Sequence, residues 1–115
     1  MIGAVAAGAA PGEVSFEDHG QGRFAVFGEL SFATAVEALE QGRTLFSDHS
    51  VLELDLAGIK RADSAGLAVL LEWVTWARNT AREISYRNLP QQVLCIAQIS
   101  EVEDMLHRAE RWTGA

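Results

Sequence analysis

The chain has 115 residues, one cysteine and a formal net charge of −7. That length suits one domain whose core can be self-sufficient, and a single thiol excludes an internal disulfide. The acidic balance argues against non-specific nucleic-acid binding and against attraction to anionic lipid.

The first twelve residues, MIGAVAAGAAPG, are small and mostly apolar. They lack the basic start and leucine-rich run of a secretory signal, and are expected to form a flexible tail ending at Pro11-Gly12. Nowhere is the sequence apolar for long enough to span a bilayer. Val14–Phe16 and Arg23–Phe27 read as a strand pair around Gly20-Gln21-Gly22. Ser31 is the expected cap of a helix over 32–46, with Phe32, Ala35, Val36, Leu39 and Leu45-Phe46 on its apolar face. Gly42 either ends that helix or marks a close approach.

Val51–Leu56 alternates cleanly, with Leu52, Leu54 and Leu56 facing a core. After a short crossing comes a helix over 65–81. Leu67, Leu70, Leu71, Val74 and Ala77 share one face, and Val69, Trp73 and Trp76 form a flanking cluster. Glu83–Leu89 reads as a strand, and Pro90 suits the first turn of a helix carrying Val93, Leu94, Ile96 and Ala97. Cys95, between Leu94 and Ile96, is expected to be a small buried residue. Ser100 and Glu103 resemble a capping box for a last helix over 101–112 that buries Val102, Met105 and Leu106. The alternation implies an α/β fold: a mixed four- to five-stranded sheet with helices packed mainly on one face. The domain is expected over 13–112, with tails at 1–12 and 113–115.

The most informative element is Asp63-Ser64, placed where a helix exposes unpaired backbone N–H groups. A hydroxyl there can cap the helix, accept a phosphoryl group or centre a docking surface. A phosphate would gain from the helix field, yet Asp63 alongside would repel it. Asp55, at the end of its strand, could approach Asp63, but no His, Lys or Cys accompanies the two as a nucleophile–base pair. A structural role in holding backbone N–H groups fits Asp55 better. His19, His49 and His107 lack metal-ligand spacing, and neither a P-loop nor a GxGxxG run follows a strand. No catalytic residue, cofactor or metal is assigned. Lys60 and Arg61, just before the Asp-Ser pair, suit either a solvated turn or an ion-paired interface. Trp73 and Trp76 either complete the core or anchor a partner, and Trp112 reads as terminal packing.

LDLAGIKRADSAGLAVLLEWVTWAR, followed by ISYRNLPQQVLCIAQI, resembles the STAS family, the domains shared by anti-sigma factor antagonists and sulfate-transporter tails. The resemblance runs from about Val14 to Leu106. The family pattern is a strand ending in Asp and then D-[ST]-x-G-[LI], matched by Asp55, Asp63, Ser64, Gly66 and Leu67. The nearest branch is that of the small STAS subunits of Mla phospholipid-transport ABC complexes. It implies a non-catalytic subunit that binds and regulates or assembles the transporter's ATPase, which sits with a membrane permease, and so supports outer-membrane lipid asymmetry. Such a subunit would be cytoplasmic and peripheral on the inner membrane through its partner, without inserting into the bilayer. The interface implied comprises Ser64 with Lys60, Arg61, Asp63, Ala65, Gly66, Val69, Trp73 and Trp76. The antagonist branch implies instead a switch in which a partner serine kinase phosphorylates Ser64. Position 65, where antagonists often carry Ser and Mla-type subunits often Gly, is Ala and does not separate the two.

Overall fold

The computed structural model describes residues 12–100. Strands β1 (Val14–Asp18) and β2 (Arg23–Leu30) form an antiparallel hairpin, and helix α1 (Ala35–Phe46) follows. Strand β3 (Val51–Ala62), helix α2 (Ser64–Asn79), strand β4 (Glu83–Arg87) and helix α3 (Gln91–Ser100) complete the order. The sheet runs β1-β2-β3-β4, with β3 parallel to both β2 and β4. Parallel neighbours cannot be joined by a tight turn, so α1 and α2 are the crossovers. The helices pack on one side of the sheet.

The hairpin closes through local polar chemistry. Gly20 N donates to Asp18 Oδ1 at 2.8 Å and Arg23 N donates to Gly20 O at 3.1 Å. The period-two pattern of β3 puts Leu52, Leu54 and Leu56 in the core beside Phe24, Val26 and Leu30 of β2. From α2, Leu67, Leu70, Val74 and Ala77 cover them, and Val93 and Ala97 of α3 extend the layer. Tyr86 is fully buried, and its hydroxyl donates to Leu70 O at 2.6 Å, so β4 is bonded to α2 as well as packed on it. Burial holds the Tyr86 phenol well above its usual pKa.

Helix α2 needs two buried arcs because it lies between α1 and α3. Val69 is 1 % exposed and Trp73 is 2 % exposed. The expectation that both face a partner is therefore corrected: they belong to the core. The Trp73 ring meets Phe46 edge-on at 5.3 Å and Phe16 at 6.0 Å, between centroids. Gly42 does not end α1. It lies in mid-helix, where an added Cβ would stand 2.8 Å from Trp73 Nε1, so its missing side chain makes room for the indole.

Several element boundaries differ from expectation: β1 runs on to Asp18, β2 to Leu30, and α2 spans Ser64–Asn79. Strand β3 continues through the stretch expected to be a crossing. Register shifts after Ala25 and Gly28 accommodate extra β3 residues, and Ile59–Ala62 then pair along Gly28–Leu30. Helix α1 begins at Ala35 rather than 32, which leaves Phe32 outside it and exposed. Strand β4 stops at Arg87, and Leu89 is buried in the loop before Pro90, whose carbonyl accepts from Val93 N at 3.0 Å. Cys95 is exposed, not buried: Val93 and Ala97 take the core positions of α3, and Cys95 falls between them on the outer side. The expected helix over 101–112, with Trp112 and His107, and the tail over 1–11 lie outside the described residues.

Candidate functional site

The end of β3 delivers Asp63 to the start of α2. Its backbone is extended (φ −127°, ψ −166°), the geometry of a helix cap. Asp63 Oδ1 accepts from Ala65 N at 2.9 Å and from Gly66 N at 3.1 Å. The other oxygen accepts from Phe32 N at 3.2 Å. One carboxylate thus caps α2 and also ties down the β2–α1 loop, which is 31 residues away in sequence. Desolvation works against its ionised form. The amides of Phe32, Gly66 and Ala65, with the charge of Arg61, outweigh that and hold its pKa below the usual value.

Gly66 is what allows the two segments to meet. A Cβ there would run into the carbonyl of Leu30, and Asp63 N donates to that same carbonyl at 3.2 Å. The adjoining loop is internally bonded. Thr34 Oγ1 donates to Glu29 O at 2.8 Å and accepts from Ser31 N at 3.0 Å. Ser31 Oγ donates to Glu29 Oε2 at 2.5 Å, and Gly12 N donates to Glu29 Oε1 at 3.0 Å. The Ser31 hydroxyl and then the Gly12 amide lower the pKa of Glu29.

On this frame Ser64 is exposed, with Lys60 and Arg61 exposed before it and Ala65 half-buried after it. Phe32, 86 % exposed, and Val36, 69 % exposed, stand on the neighbouring loop and first turn of α1. The structure therefore gathers Arg61, Asp63, Ser64 and Ala65, with Lys60 exposed four residues before Ser64; Gly66, expected at the interface, is instead buried against Leu30. The fold separates the other expected site residues from this group. Val69 and Trp73 are in the core. Trp76 is half-buried about 18 Å further along α2, where Arg82 lies 4.8 Å from its ring centroid. Asp55 lies roughly 20 Å from Asp63 along the ladder, because β3 runs on between them. It is occupied locally: Asp55 Oδ1 accepts from Ala57 N and from Asn88 Nδ2, both at 2.9 Å.

Phe32, Val36 and the Glu29–Ser31–Thr34 cluster were not legible as part of the site. Thr34 and Glu37 have capping-box spacing, a signal for starting α1 three residues later and leaving Phe32 outside. Thr34 does occupy the cap position, although its hydroxyl bonds back to the loop instead of to the helix.

Chemically, the surface offers a hydroxyl, two cations, backbone at a helix start and two apolar side chains. Asp63 already engages the Ala65 and Gly66 amides. A phosphoryl group on Ser64 would thus find its nearest helix donors taken and would rely on Arg61 and Lys60. Among the described residues no group of three or more His, Cys, Asp or Glu is placed to hold a metal ion.

The model of a STAS family described as "Mlab, STAS domain" matches residues 15–107. Among solved structures, the chain is similar to the anti-sigma factor antagonist SpoIIAA in its unphosphorylated form. The TM-score is 0.57 at 13 % identity, over 75 % of this chain and 82 % of that one. No sequence among curated proteins matches the chain.

Proposed function

From the membership of this chain in the STAS domain family, under the Mlab-type model that spans most of it, we propose that it is a non-catalytic subunit of an ABC phospholipid transporter. It docks on the transporter's ATPase through Ser64, Lys60, Arg61, Asp63 and Ala65, joined by Phe32. It is held at the cytoplasmic face of the inner membrane by that partner. No helix among the described residues is long and apolar enough to cross a membrane.

The observation that carries the reading is the joint made by Asp63. It fixes the α2 start and the Phe32 loop as one preorganised surface with an exposed aromatic at its edge. Preorganisation lowers the cost of association, and a desolvated aromatic is the usual energetic centre of an interface. Such docking regulates the ATPase only if two states of that partner bind this surface with different affinity.

A second reading is an anti-sigma factor antagonist switched by phosphorylation of Ser64. Two observations favour it: the exposed hydroxyl at the start of α2 and the fold shared with SpoIIAA. One experiment separates the two. The protein is affinity-purified from membranes of its own organism, and its companions and Ser64 are identified by mass spectrometry. An ATPase and permease with unmodified Ser64 support the transporter subunit. A serine kinase with phosphorylated Ser64 refutes it in favour of the switch.

A further inference from the structure

Phe32 stands 86 % exposed, so burial in the fold does nothing to hold its ring in place. Its backbone, by contrast, is fixed at Ser31, Phe32 and Ala33 in turn. Ser31 N donates to Thr34 Oγ1, Phe32 N donates to Asp63, and Ala33 N donates to Ser31 Oγ at 3.2 Å. The last of these bonds depends on where the Ser31 hydroxyl points. Glu29 sets that direction, because its Oε2 accepts the hydroxyl proton. Ser31 is only 3 % exposed, and a hydroxyl so far from water needs a protein acceptor. An ionised carboxylate makes that bond one of the stronger kind.

Glu29 is itself anchored through every polar group it has. Its N donates to Glu13 O at 2.9 Å, its O accepts from Thr34 Oγ1, and its Oε1 accepts from Gly12 N. Across the β2–β3 ladder it faces Arg61 of the candidate site. An exposed aromatic adds no burial to the fold by sitting on a fixed loop. What a fixed loop reduces is the ordering that association would otherwise have to supply. We infer that Glu29 is a positioning residue for docking: through the Ser31 hydroxyl it holds the Phe32 loop in the conformation that meets the partner, without meeting the partner itself. The inference rests on the docking reading above and adds to Asp63 a second carboxylate acting on the same loop.

The test begins with the full chain alone, where amide nitrogen relaxation reads the backbone order of Phe32 and Ala33. Glu29→Ala and Ser31→Ala should each lower it, while Leu54 and Tyr86 in the sheet keep theirs. The double variant should lower it no further than either single one, because both remove the same bond. Ser31→Ala serves should Glu29→Ala fail to fold, since it leaves the Gly12 and Glu13 bonds of Glu29 in place. Unchanged order at Phe32 and Ala33, or a fall shared equally by Leu54 and Tyr86, overturns the inference. The ATPase recovered with the protein is then titrated calorimetrically. Glu29→Ala should weaken its binding about three- to tenfold, the cost of ordering one loop side chain. Glu29→Gln, which keeps an acceptor for Ser31, should recover most of that loss. In a Phe32→Ala background Glu29→Ala should change nothing. A loss that Glu29→Gln does not recover, or that persists without Phe32, overturns the inference. Parent protein that binds no ATPase refutes the docking reading, and the inference with it, whatever the relaxation shows, so the two failures are distinguishable.

Discussion

Replacing Asp63 with Ala removes the acceptor of three backbone N–H groups at once. Loss of the α2 cap costs about 1 kcal/mol. Loss of the Phe32 amide bond, partly exposed to solvent, adds about 0.5–1 kcal/mol. Together the expected destabilisation is about 2 kcal/mol, a fall in melting temperature of about 10 °C for a domain of this size. Urea unfolding followed by tryptophan fluorescence measures it, because Trp73 is buried against Phe46 and Phe16 and reports loss of the core. Asp63→Asn keeps one carbonyl acceptor and should fall between the two proteins. Ser64→Ala, one residue on, should lie within about 0.5 kcal/mol of the parent. The pH dependence follows from the lowered pKa of Asp63. A carboxyl lowered in the fold contributes stability that is fully present above its unfolded value near 3.8 and is lost as pH falls through its lower folded value. The gap between the parent and Asp63→Ala should therefore persist at neutral pH and close in acid below 3.8. A loss below about 0.5 kcal/mol at neutral pH would refute the bridging role, since that is the scatter of unremarkable surface changes.

Other perturbations test the remaining parts. Gly66→Ala drives a methyl group into the Leu30 carbonyl and should cost about 1–3 kcal/mol, seen as a lower urea midpoint; an unchanged midpoint would mean that α2 can shift off β2 freely. Trp73→Ala should cost about 3–5 kcal/mol and lower the melting temperature steeply, as expected of a core side chain; wild-type melting with weakened partner capture would restore it to the interface. Phe32→Ala should leave melting within about 0.5 kcal/mol of the parent and reduce ATPase affinity about tenfold or more, measured by calorimetric titration. Ser64→Glu should block ATPase capture without changing the melting profile, and undiminished capture would remove Ser64 from the surface.

The order of elements and much of the core followed from local pattern. Leu52, Leu54 and Leu56 face one side because a strand has a period of two, and the α2 stripe from Leu67 to Ala77 follows from a period of 3.6. The Asp-Ser pair before an apolar helix marked the α2 start, and Asp63 is its cap. Local pattern failed where a tertiary neighbour sets the outcome. AGIKRA reads as a loop, yet β2 offers it a ladder and it becomes strand. Trp73 carried two readings that periodicity alone does not separate. Its burial depends on α1 presenting Gly42 opposite the indole.

What the sequence by itself determined is therefore the alternating α/β order, the buried faces and the polar helix start. Each depends on residues within one or two turns of each other. Only the tertiary structure decided that the surface around Ser64 includes Phe32 and Glu29 and excludes Val69, Trp73 and Asp55. The bond from Phe32 N to Asp63 spans 31 residues, and the meeting of Gly66 with Leu30 requires β2 and α2 to be stacked first. Contacts of that kind leave no periodic trace, because their geometry is set by how the elements pack and not by their spacing along the chain.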